Sequence, residues 1–259
     1  MIFDTKPSVV GHRGFGSGQR GGHRENTVGS FLAAVACGLS WVELDVHRSR
    51  DGELVVRHDP VGPGGDPIVA QTVAELGAVG VVSLAEVLAA VPADVAVNID
   101  VKTIIDDAVD PLAQRTYALV ADVLQREQGT RRFLVSSFDP AAVMYLAEHR
   151  EFAGEAALGL ITGIDFPAHH AVPAAANLGL DAVCLHTGTL NLHRDQIRSG
   201  ELGPERIIET AHRAGLEVLV WSPGPAEAVR LVRAGADAVC VNDVPGVQAA
   251  LALAAAGAA

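Results

Sequence analysis

The chain has 259 residues, 49% of them hydrophobic, so it can bury a large core as a single domain over residues 1–259, a length typical of α/β barrels. Its formal net charge of −12 and its pI near 5.2 argue against a nucleic-acid partner, because no basic face is evident to replace phosphate counterions. Cys37, Cys184 and Cys240 are far apart and form no CxxC pair. This spacing argues against a disulfide framework or a zinc site and favours a reducing compartment.

Both ends of the chain bear on its location. Residues 1–6 precede only a short apolar run and lack the long apolar core of a signal peptide. The alanine-rich stretch at residues 249–259 is too short to cross a bilayer. We therefore expect a cytoplasmic protein with no integral membrane segment.

Short apolar runs, many of them preceded by a glycine that suits the end of a helix, predict the strands in chain order. After the second run, Asp51-Gly52 predicts a hairpin that returns the chain toward the same edge. Residues 59–83, rich in Gly and Pro, predict a loop or small insertion. Strands are predicted at residues 9–12, 41–45, 95–101, 133–137, 157–162, 182–186, 218–221 and 238–242. Helices are predicted at residues 27–37, 84–91, 110–125, 140–149, 171–178, 204–214, 225–233 and 244–255.

The predicted fold class is α/β. The apolar runs indicate strands buried on both faces, which is typical of a parallel sheet, and about eight such strands close a TIM (β/α)8 barrel. A doubly wound sheet is the alternative, because its crevice lies at the same strand ends. Polar or aromatic residues occupy those carboxyl ends: His12, Glu43, Asp45, Asp100, Lys102, Ser137, His186, Trp221 and Asn242. This is the face on which barrel enzymes build their active sites.

The first sixty residues combine histidines with carboxylates. Histidine exchanges protons near neutral pH, and carboxylate oxygens are ligands for Mg²⁺ or Ca²⁺. Together with later segments, these residues resemble the glycerophosphodiester phosphodiesterase family over nearly the whole chain. The resemblance rests on His12-Arg13-Gly14, Glu25-Asn26-Thr27, Ser30-Phe31, Glu43-x-Asp45, Asp51-Gly52, His58-Asp59, Ile99-Asp100-Val101-Lys102, Ser136-Ser137-Phe138, Val220-Trp221 and Asp243-Val244-Pro245.

The resemblance implies a TIM barrel that hydrolyses small-molecule glycerophosphodiesters to an alcohol and sn-glycerol 3-phosphate with a divalent cation, Mg²⁺ or Ca²⁺. It makes Glu43, Asp45 and Asp100 the metal ligands and His12 and His58 the general acid and base. Other residues would bind the substrate. Arg13 and Lys102 would hold the phosphate, Glu25 and Asn26 would close the pocket, and His186 and Trp221 would face it. The attacking oxygen is either the substrate's 2-hydroxyl or a water molecule.

Two segments depart from the family pattern. The third metal ligand is usually Glu, and Asp100 is one methylene shorter. The loop from Gly14 to Arg24 is longer than usual and rich in glycine, which suggests a mobile rim over the site.

Each assignment has a structural alternative. His47, His149, His193 and His212 are interpreted as structural, Ser137 as a hydrogen-bonding residue, and Glu43 and Asp45 could instead form ion pairs with Arg48 or Arg50. Two functional alternatives also remain. One is a lysophospholipase D or cyclising phosphodiesterase on the same scaffold, and the other is a barrel that binds phosphodiesters without cleaving them.

Overall fold

The structure, a computed structural model, describes residues 1–190 and 203–257. The strands are β1 (Ser8–Gly11), β2 (Gln19–Arg20), β3 (His23–Arg24), β4 (Trp41–Arg48), β5 (Leu54–Val56), β6 (Ala96–Val101), β7 (Phe133–Ser137), β8 (Ala157–Thr162), β9 (Ala182–His186), β10 (Glu217–Trp221) and β11 (Ala238–Val241). The helices are α1 (Val28–Ala36), α2 (Val73–Ala78), α3 (Leu84–Ala90), α4 (Thr116–Arg126), α5 (Pro140–Glu148), α6 (Arg150–Ala153), α7 (Ala168–Asn177), α8 (Thr187–Leu190), α9 (Pro204–Arg213), α10 (Pro225–Arg233) and α11 (Val244–Ala256).

Eight of these strands, β1, β4 and β6 to β11, run parallel and hydrogen-bond around a closed ring. The ring closes where Val10 pairs with Trp41 and Gly11 pairs with Val42. This closing pair rules out the doubly wound alternative, and the TIM barrel is confirmed. The predicted hairpin is also present, because β5 lies antiparallel to β4 at the barrel edge.

Side-chain alternation along the strands creates two buried layers. Alternate residues such as Val42 and Leu44 point outward and pack under the helices, while Trp41, Glu43 and Asp45 lie on the opposite face of the same strand. The interior is apolar at the amino end of the strands and polar at the carboxyl end. The apolar layer is formed by Phe3, Val10, Trp41, Ala96, Leu134, Ile161, Ala182, Cys184, Leu219, Ala238 and Cys240.

Three predicted segments differ from the structure. The helix predicted at residues 110–125 begins only at Thr116, because Arg48 binds Asp107 and Asp110 and holds the preceding segment in two 3-10 turns, Ile105–Ala108 and Leu112–Gln114. The insertion at residues 59–83 contains α2, whose first turn is closed by a capping box between Thr72 and Glu75.

The loop after β1 forms a small hairpin that the sequence analysis did not predict. Strands β2 and β3 pair across Gly21 and Gly22, which both have positive φ angles. Among the described residues, no helix has the length and apolar character needed to cross a membrane.

Candidate active site

The predicted site residues meet at the carboxyl end of the barrel strands. One pocket there is lined by eight of them, His12, Arg13, Glu43, Asp45, His58, Asp100, Lys102 and Trp221, together with Phe138 and apolar residues of the barrel interior. Glu25 and Asn26 line an adjoining pocket that also contains His58. His186 stands beside this group and packs against Trp221 with ring centroids 4.4 Å apart. All the predicted candidates therefore belong to one region.

Three buried carboxylates form the centre of the site. Each of Glu43, Asp45 and Asp100 offers an oxygen, and these oxygens lie within 4.8 Å of one another. The strand register brings them together, since Asp45 pairs with Asp100 across β4 and β6 and Glu43 lies one inward position earlier. Burial, and then repulsion from Asp45, raises the pKa of Glu43, while burial and both neighbouring carboxylates raise the pKa of Asp100 despite Lys102. Such a cluster strongly favours a cation among its oxygens.

Arg13 and Lys102 supply positive charge to this cluster. Lys102 Nζ lies 2.8 Å from Asp45 Oδ1 and also donates to Asp100. Arg13 Nε is 3.3 Å from Asp45 Oδ2. Burial alone would raise the pKa of Asp45, but the charges of Lys102 and Arg13 outweigh it and lower that pKa. Asp45 is therefore a carboxylate held by two cations.

The alternative that Glu43 and Asp45 form ion pairs with Arg48 or Arg50 is wrong. Arg48 binds Asp107 and Asp110, and Arg50 binds Glu75, 3.0 Å away. Neither arginine contacts the central carboxylates.

The backbone of the loop after β1 is arranged to reach these groups. Arg13 and Asn26 have φ angles of 52° and 54°, a left-handed conformation that is uncommon outside glycine. Through it, the Arg13 backbone N–H donates to Glu43 Oε2 at 2.8 Å, and the Asn26 side-chain amide donates to Asp45 at 2.8 Å. Strained residues of this kind concentrate at functional sites. Glu25 completes the arrangement, because it accepts from Arg13 Nη1 at 3.1 Å.

His12 is oriented by Asn242, a residue to which the sequence analysis assigned no role. Asn242 Oδ1 accepts from the Ser17 backbone N–H at 3.0 Å, so this atom is an acceptor, and His12 Nδ1, 2.7 Å away, must donate to it. His12 Nε2 then carries the lone pair and lies 3.9 Å from Glu43 Oε2. Burial, followed by the charge of Arg13, lowers the pKa of His12. These surroundings favour the neutral ring, with Nε2 toward the carboxylates.

His58 occupies a more open position at the end of the hairpin. Its Nδ1 lies 2.9 Å from Asp59 Oδ1, so Nε2 is the ring nitrogen outside this contact. The His58 side chain is 41% exposed, against 12% for His12. One histidine is thus deep in the pocket and the other lies at its rim.

A comparison with protein-family models matches residues 12–245 to the glycerophosphoryl diester phosphodiesterase family. The chain belongs to this family. Solved structures agree in fold: a glycerophosphodiester phosphodiesterase of Galdieria sulphuraria, described as putative, has a TM-score of 0.75 at 21% identity, covering 95% of this chain and 98% of that one. A phosphodiesterase of Oleispira antarctica, solved in complex with the product sn-glycerol-3-phosphate, has a TM-score of 0.73 at 22% identity, covering 95% and 97%.

Curated relatives match shorter segments. A probable glycerophosphodiester phosphodiesterase of Mycobacterium tuberculosis is 33% identical over 140 residues, which cover 50% of this chain and 48% of that protein. A glycerophosphocholine phosphodiesterase of Candida albicans is 47% identical over 55 residues, 20% of this chain and 5% of that protein. The chain thus matches half or less of the length of these relatives.

In this family member, the charged groups come from the chain up to Lys102, and the later strands supply an aromatic wall. Trp221 Nε1 donates to the Thr162 carbonyl at 3.2 Å, which fixes the indole against the pocket. Phe138 meets Trp221 edge to face, with centroids 5.9 Å apart. The sequence analysis gave no role to Phe138 or Asn242. Phe138 directly follows a predicted strand and Asn242 ends one, and that position was the available signal.

The residues interpreted as structural are placed as follows. Ser137 Oγ donates to the Val101 carbonyl at 2.7 Å, so its hydrogen bond is structural. His47 Nε2 contacts the His58 carbonyl at 3.2 Å, His149 Nδ1 contacts the Tyr145 carbonyl, and His212 Nε2 contacts Asp237. His193 lies outside the described residues.

Proposed function

We propose that this protein hydrolyses glycerophosphodiesters to an alcohol and sn-glycerol 3-phosphate, using a divalent cation, Mg²⁺ or Ca²⁺, and His12 and His58 as a proton-transfer pair. The observation that carries the proposal is the convergence of three buried carboxylates, two histidines and two cations in one pocket of a family barrel. The product named for the Oleispira antarctica structure supports the substrate class.

The donor set fits a hard divalent cation. All three candidate ligands offer oxygen, the donor that Mg²⁺ and Ca²⁺ prefer. Among the described residues, Asp100 Oδ1 is buried and has no hydrogen-bond partner, so it is available as a ligand. Glu43, Asp45 and Asp100 would hold the ion. When bound, it supplies Lewis-acid stabilisation of the negative charge on the phosphoryl oxygens.

Arg13 and Lys102 would bind the phosphate. Arg13 presents a planar guanidinium and Lys102 a compact ammonium, and both already face the carboxylate centre. In the proposed complex, both side chains form ion pairs with the phosphate oxygens and interact less strongly with the aspartates. This keeps the substrate at the bottom of the pocket, between the two histidines.

The two histidines would move the protons. His12 Nε2 takes the proton of the attacking hydroxyl, either the substrate's 2-hydroxyl or a water molecule, as the new P–O bond forms. The P–O bond to the alcohol breaks, and His58 gives its proton to the departing oxygen. Attack by water gives sn-glycerol 3-phosphate directly. Attack by the 2-hydroxyl gives a cyclic phosphate, and water must then add to its phosphorus and break the P–O bond to the 2-oxygen. Asn242 and Asp59 hold the two rings in these orientations.

Turnover of glycerophosphocholine by the purified chain tests the proposal. We expect release of sn-glycerol 3-phosphate, and a fall of about 10²- to 10⁴-fold in kcat for His12→Ala or His58→Ala. His169→Ala, an exposed histidine of α7, is the matched control and should retain full activity. Tight substrate binding without any product would favour the non-catalytic barrel instead.

Cation dependence can be tested without activity. We expect Mg²⁺ or Ca²⁺ to raise the melting temperature of EDTA-treated protein, because an ion that binds only the folded state stabilises it. Asp100→Asn should lose most of this shift. Asp107→Asn is the control, since Asp107 is also buried but is held by Arg48. An equal shift in both variants would remove Asp100 from the ligand set.

A second candidate function is hydrolysis of lysophospholipids by the same chemistry. It is favoured by exposed apolar side chains on the loops that follow β6 and β8, on the same face as the pocket. Ile105, Val109 and Ile164 are 90%, 84% and 56% exposed. Comparing kcat/KM for lysophosphatidylcholine and glycerophosphocholine distinguishes the candidates, and faster turnover of the lysolipid would reverse our ranking.

A further inference from the structure

Asn98 also lines the main pocket, and none of the steps described above uses it. It is 3% exposed and lies on β6 two residues before Asp100, so both side chains point into the barrel. The strand register places Asn98 beside Glu43. One inward position earlier, Ala96 belongs to the apolar layer of the barrel interior. Asn98 is therefore the deepest polar side chain that β6 contributes to the pocket.

The carboxamide of Asn98 has a free donor. Ser136 Oγ donates to Asn98 Oδ1 at 2.9 Å, which directs the amide nitrogen away from Ser136. Within the described part of the chain, no group accepts a hydrogen bond from Asn98 Nδ2. Buried amide N–H groups rarely lack an acceptor, because the unmade hydrogen bond costs free energy. A ligand that fills the pocket therefore binds best if it has an oxygen at this depth.

The phosphate of the proposed substrate lies above Asn98, toward the pocket mouth. Arg13 and Lys102, the proposed phosphate-binding residues, both contact Asp45, which pairs with Asp100 rather than with Asn98. Inward positions two residues apart on a strand are separated by about 6.6 Å. The part of the substrate that Asn98 can contact therefore lies beyond the phosphate, on the side of the barrel interior.

The two halves of a glycerophosphodiester would occupy different depths of the pocket. His58, which would protonate the departing alcohol, lies at the rim, so that alcohol points outward. The glycerol that stays on the phosphate then points inward, toward Asn98. Its terminal hydroxyl is one carbon further from the phosphorus than the 2-hydroxyl and reaches this depth first. Beside Asn98, the pocket floor is formed by members of the apolar layer, Ile161, Cys184, Leu219 and Cys240.

We propose that Asn98 is a specificity-determining residue, whose Nδ2 donates a hydrogen bond to the terminal hydroxyl of the glycerol. The inference rests on the proposed function and specifies which half of the diester is selected at this depth. A site built to bond a hydroxyl discriminates against a substrate that lacks it, because the polar group of the site is then left unpaired. Ser136 is a positioning residue, since its hydroxyl fixes the orientation of the amide.

The test compares two choline diesters that differ only in this hydroxyl. One is glycerophosphocholine, and in the other propane-1,2-diol replaces glycerol, so that the 2-hydroxyl is kept. We expect the wild-type kcat/KM to be about 10-fold higher for the glycerol diester, the effect of one hydrogen bond in a buried site. Asn98→Ala should bring the two values together. Asn177→Ala, which changes an exposed asparagine at the end of α7, should retain the wild-type ratio.

A second variant keeps Asn98 in place and changes only its orientation. Ser136→Ala removes the hydroxyl that holds the amide oxygen, so the amide is free to turn. The ratio of the two kcat/KM values should fall part of the way toward that of Asn98→Ala, while turnover of the propanediol diester changes less. This variant gives the decisive measurement if Asn98→Ala does not fold. An unchanged ratio in Ser136→Ala would overturn its positioning role.

The outcomes separate the contact from the reaction. Equal kcat/KM for the two diesters in the wild-type protein, or a ratio that survives Asn98→Ala, would overturn the contact and leave the proposed function standing. The amide would then bind only a water molecule. Failure to cleave either diester would overturn the proposed function and the contact with it.

Discussion

At the scale of single residues, the orientation of His12 depends on one side chain contributed by the opposite end of the chain. Asn242 accepts from the imidazole and from the Ser17 N–H, so it connects β11, the loop after β1 and the proposed base. A hydrogen bond at the other ring nitrogen fixes both the tautomer and the orientation of a functional histidine. Asn242 is therefore a positioning residue.

Substitution of Asn242 should change kcat with little effect on KM. We expect Asn242→Ala to lower kcat by about 10- to 100-fold, because His12 loses its orienting acceptor. Asn242→Asp should restore the acceptor and raise the pKa of His12, since a carboxylate favours the protonated ring. The acidic limb of the pH–kcat profile should then move to higher pH. A wild-type profile in both variants would contradict the positioning role.

The sequence could predict that the side chains of the site lie together, because most of them come from recognisable strand ends. The contacts between these side chains could not be predicted. Nothing in the spacing of Arg13 and Lys102 indicates that both contact Asp45, because one lies on a left-handed turn and the other beyond the neighbouring strand. Contacts across strands depend on register, and the register appears only when the barrel closes.

At the scale of elements, the turn from β1 into the following loop brings two backbones unusually close. Gly14 has a φ of +92°, and a Cβ there would lie 2.5 Å from Ser30 Oγ and 2.7 Å from the Ser30 carbonyl carbon. The contact holds the loop against α1, and Arg13, one residue earlier, reaches the carboxylates from this turn. The position therefore requires glycine for space as well as for backbone conformation.

Comparison with a second glycine separates those two requirements. Gly38 also has a positive φ, +83°, but a Cβ there would meet nothing within 4 Å. Gly38→Ala should therefore cost only the strain of the left-handed conformation, about 1 to 2 kcal/mol of unfolding free energy. Gly14→Ala adds overpacking and should cost about 2 to 5 kcal/mol. Urea unfolding of both variants measures the difference, and equal costs would show that the close contact relaxes freely.

The strands could be predicted well because each is an apolar run buried on both faces, which leaves a clear sequence pattern. Less regular segments could not be predicted from a sequence pattern. The delayed start of α4 depends on Arg48, which lies far away in the sequence and binds Asp107 and Asp110. Helix periodicity contains no information about such a distant partner.

At the scale of the whole molecule, the first residues of the chain close the amino end of the barrel. Phe3 is fully buried and packs on Trp41 with ring centroids 5.1 Å apart. The backbone N–H groups of Ile2 and Phe3 donate to Glu217, and Lys6 Nζ lies 2.6 Å from Asp237. The segment thus ties the start of the chain to the last two strands.

Asp237 makes this closure sensitive to acid. Burial alone would raise its pKa, but hydrogen bonds from Lys6, the Val218 N–H and His212 outweigh it and lower that pKa below 3.8. A lowered carboxylate pKa stabilises the fold above about pH 4, and this stabilisation disappears as the pH falls through the folded-state value.

We expect Asp237→Asn to lower the unfolding free energy by about 2 kcal/mol at pH 7 and to flatten its decline below pH 4. Denaturant unfolding at pH 7, 4 and 3 measures both effects. Asp4→Asn is the control, because its pair with Arg132 is exposed and contributes little. A parallel acid dependence in wild type and Asp237→Asn would place the sensitivity elsewhere.

The division of the site between early charged strands and a later aromatic wall has an evolutionary consequence. Substitutions after Phe138 can reshape what the wall accepts while the groups that would transfer protons and hold the phosphate stay unchanged. Apart from Asn242, which orients His12, the two parts of the chain are thus free to diverge at different rates. A lineage could acquire new substrates by varying the second half of the barrel while its first hundred residues remain nearly constant.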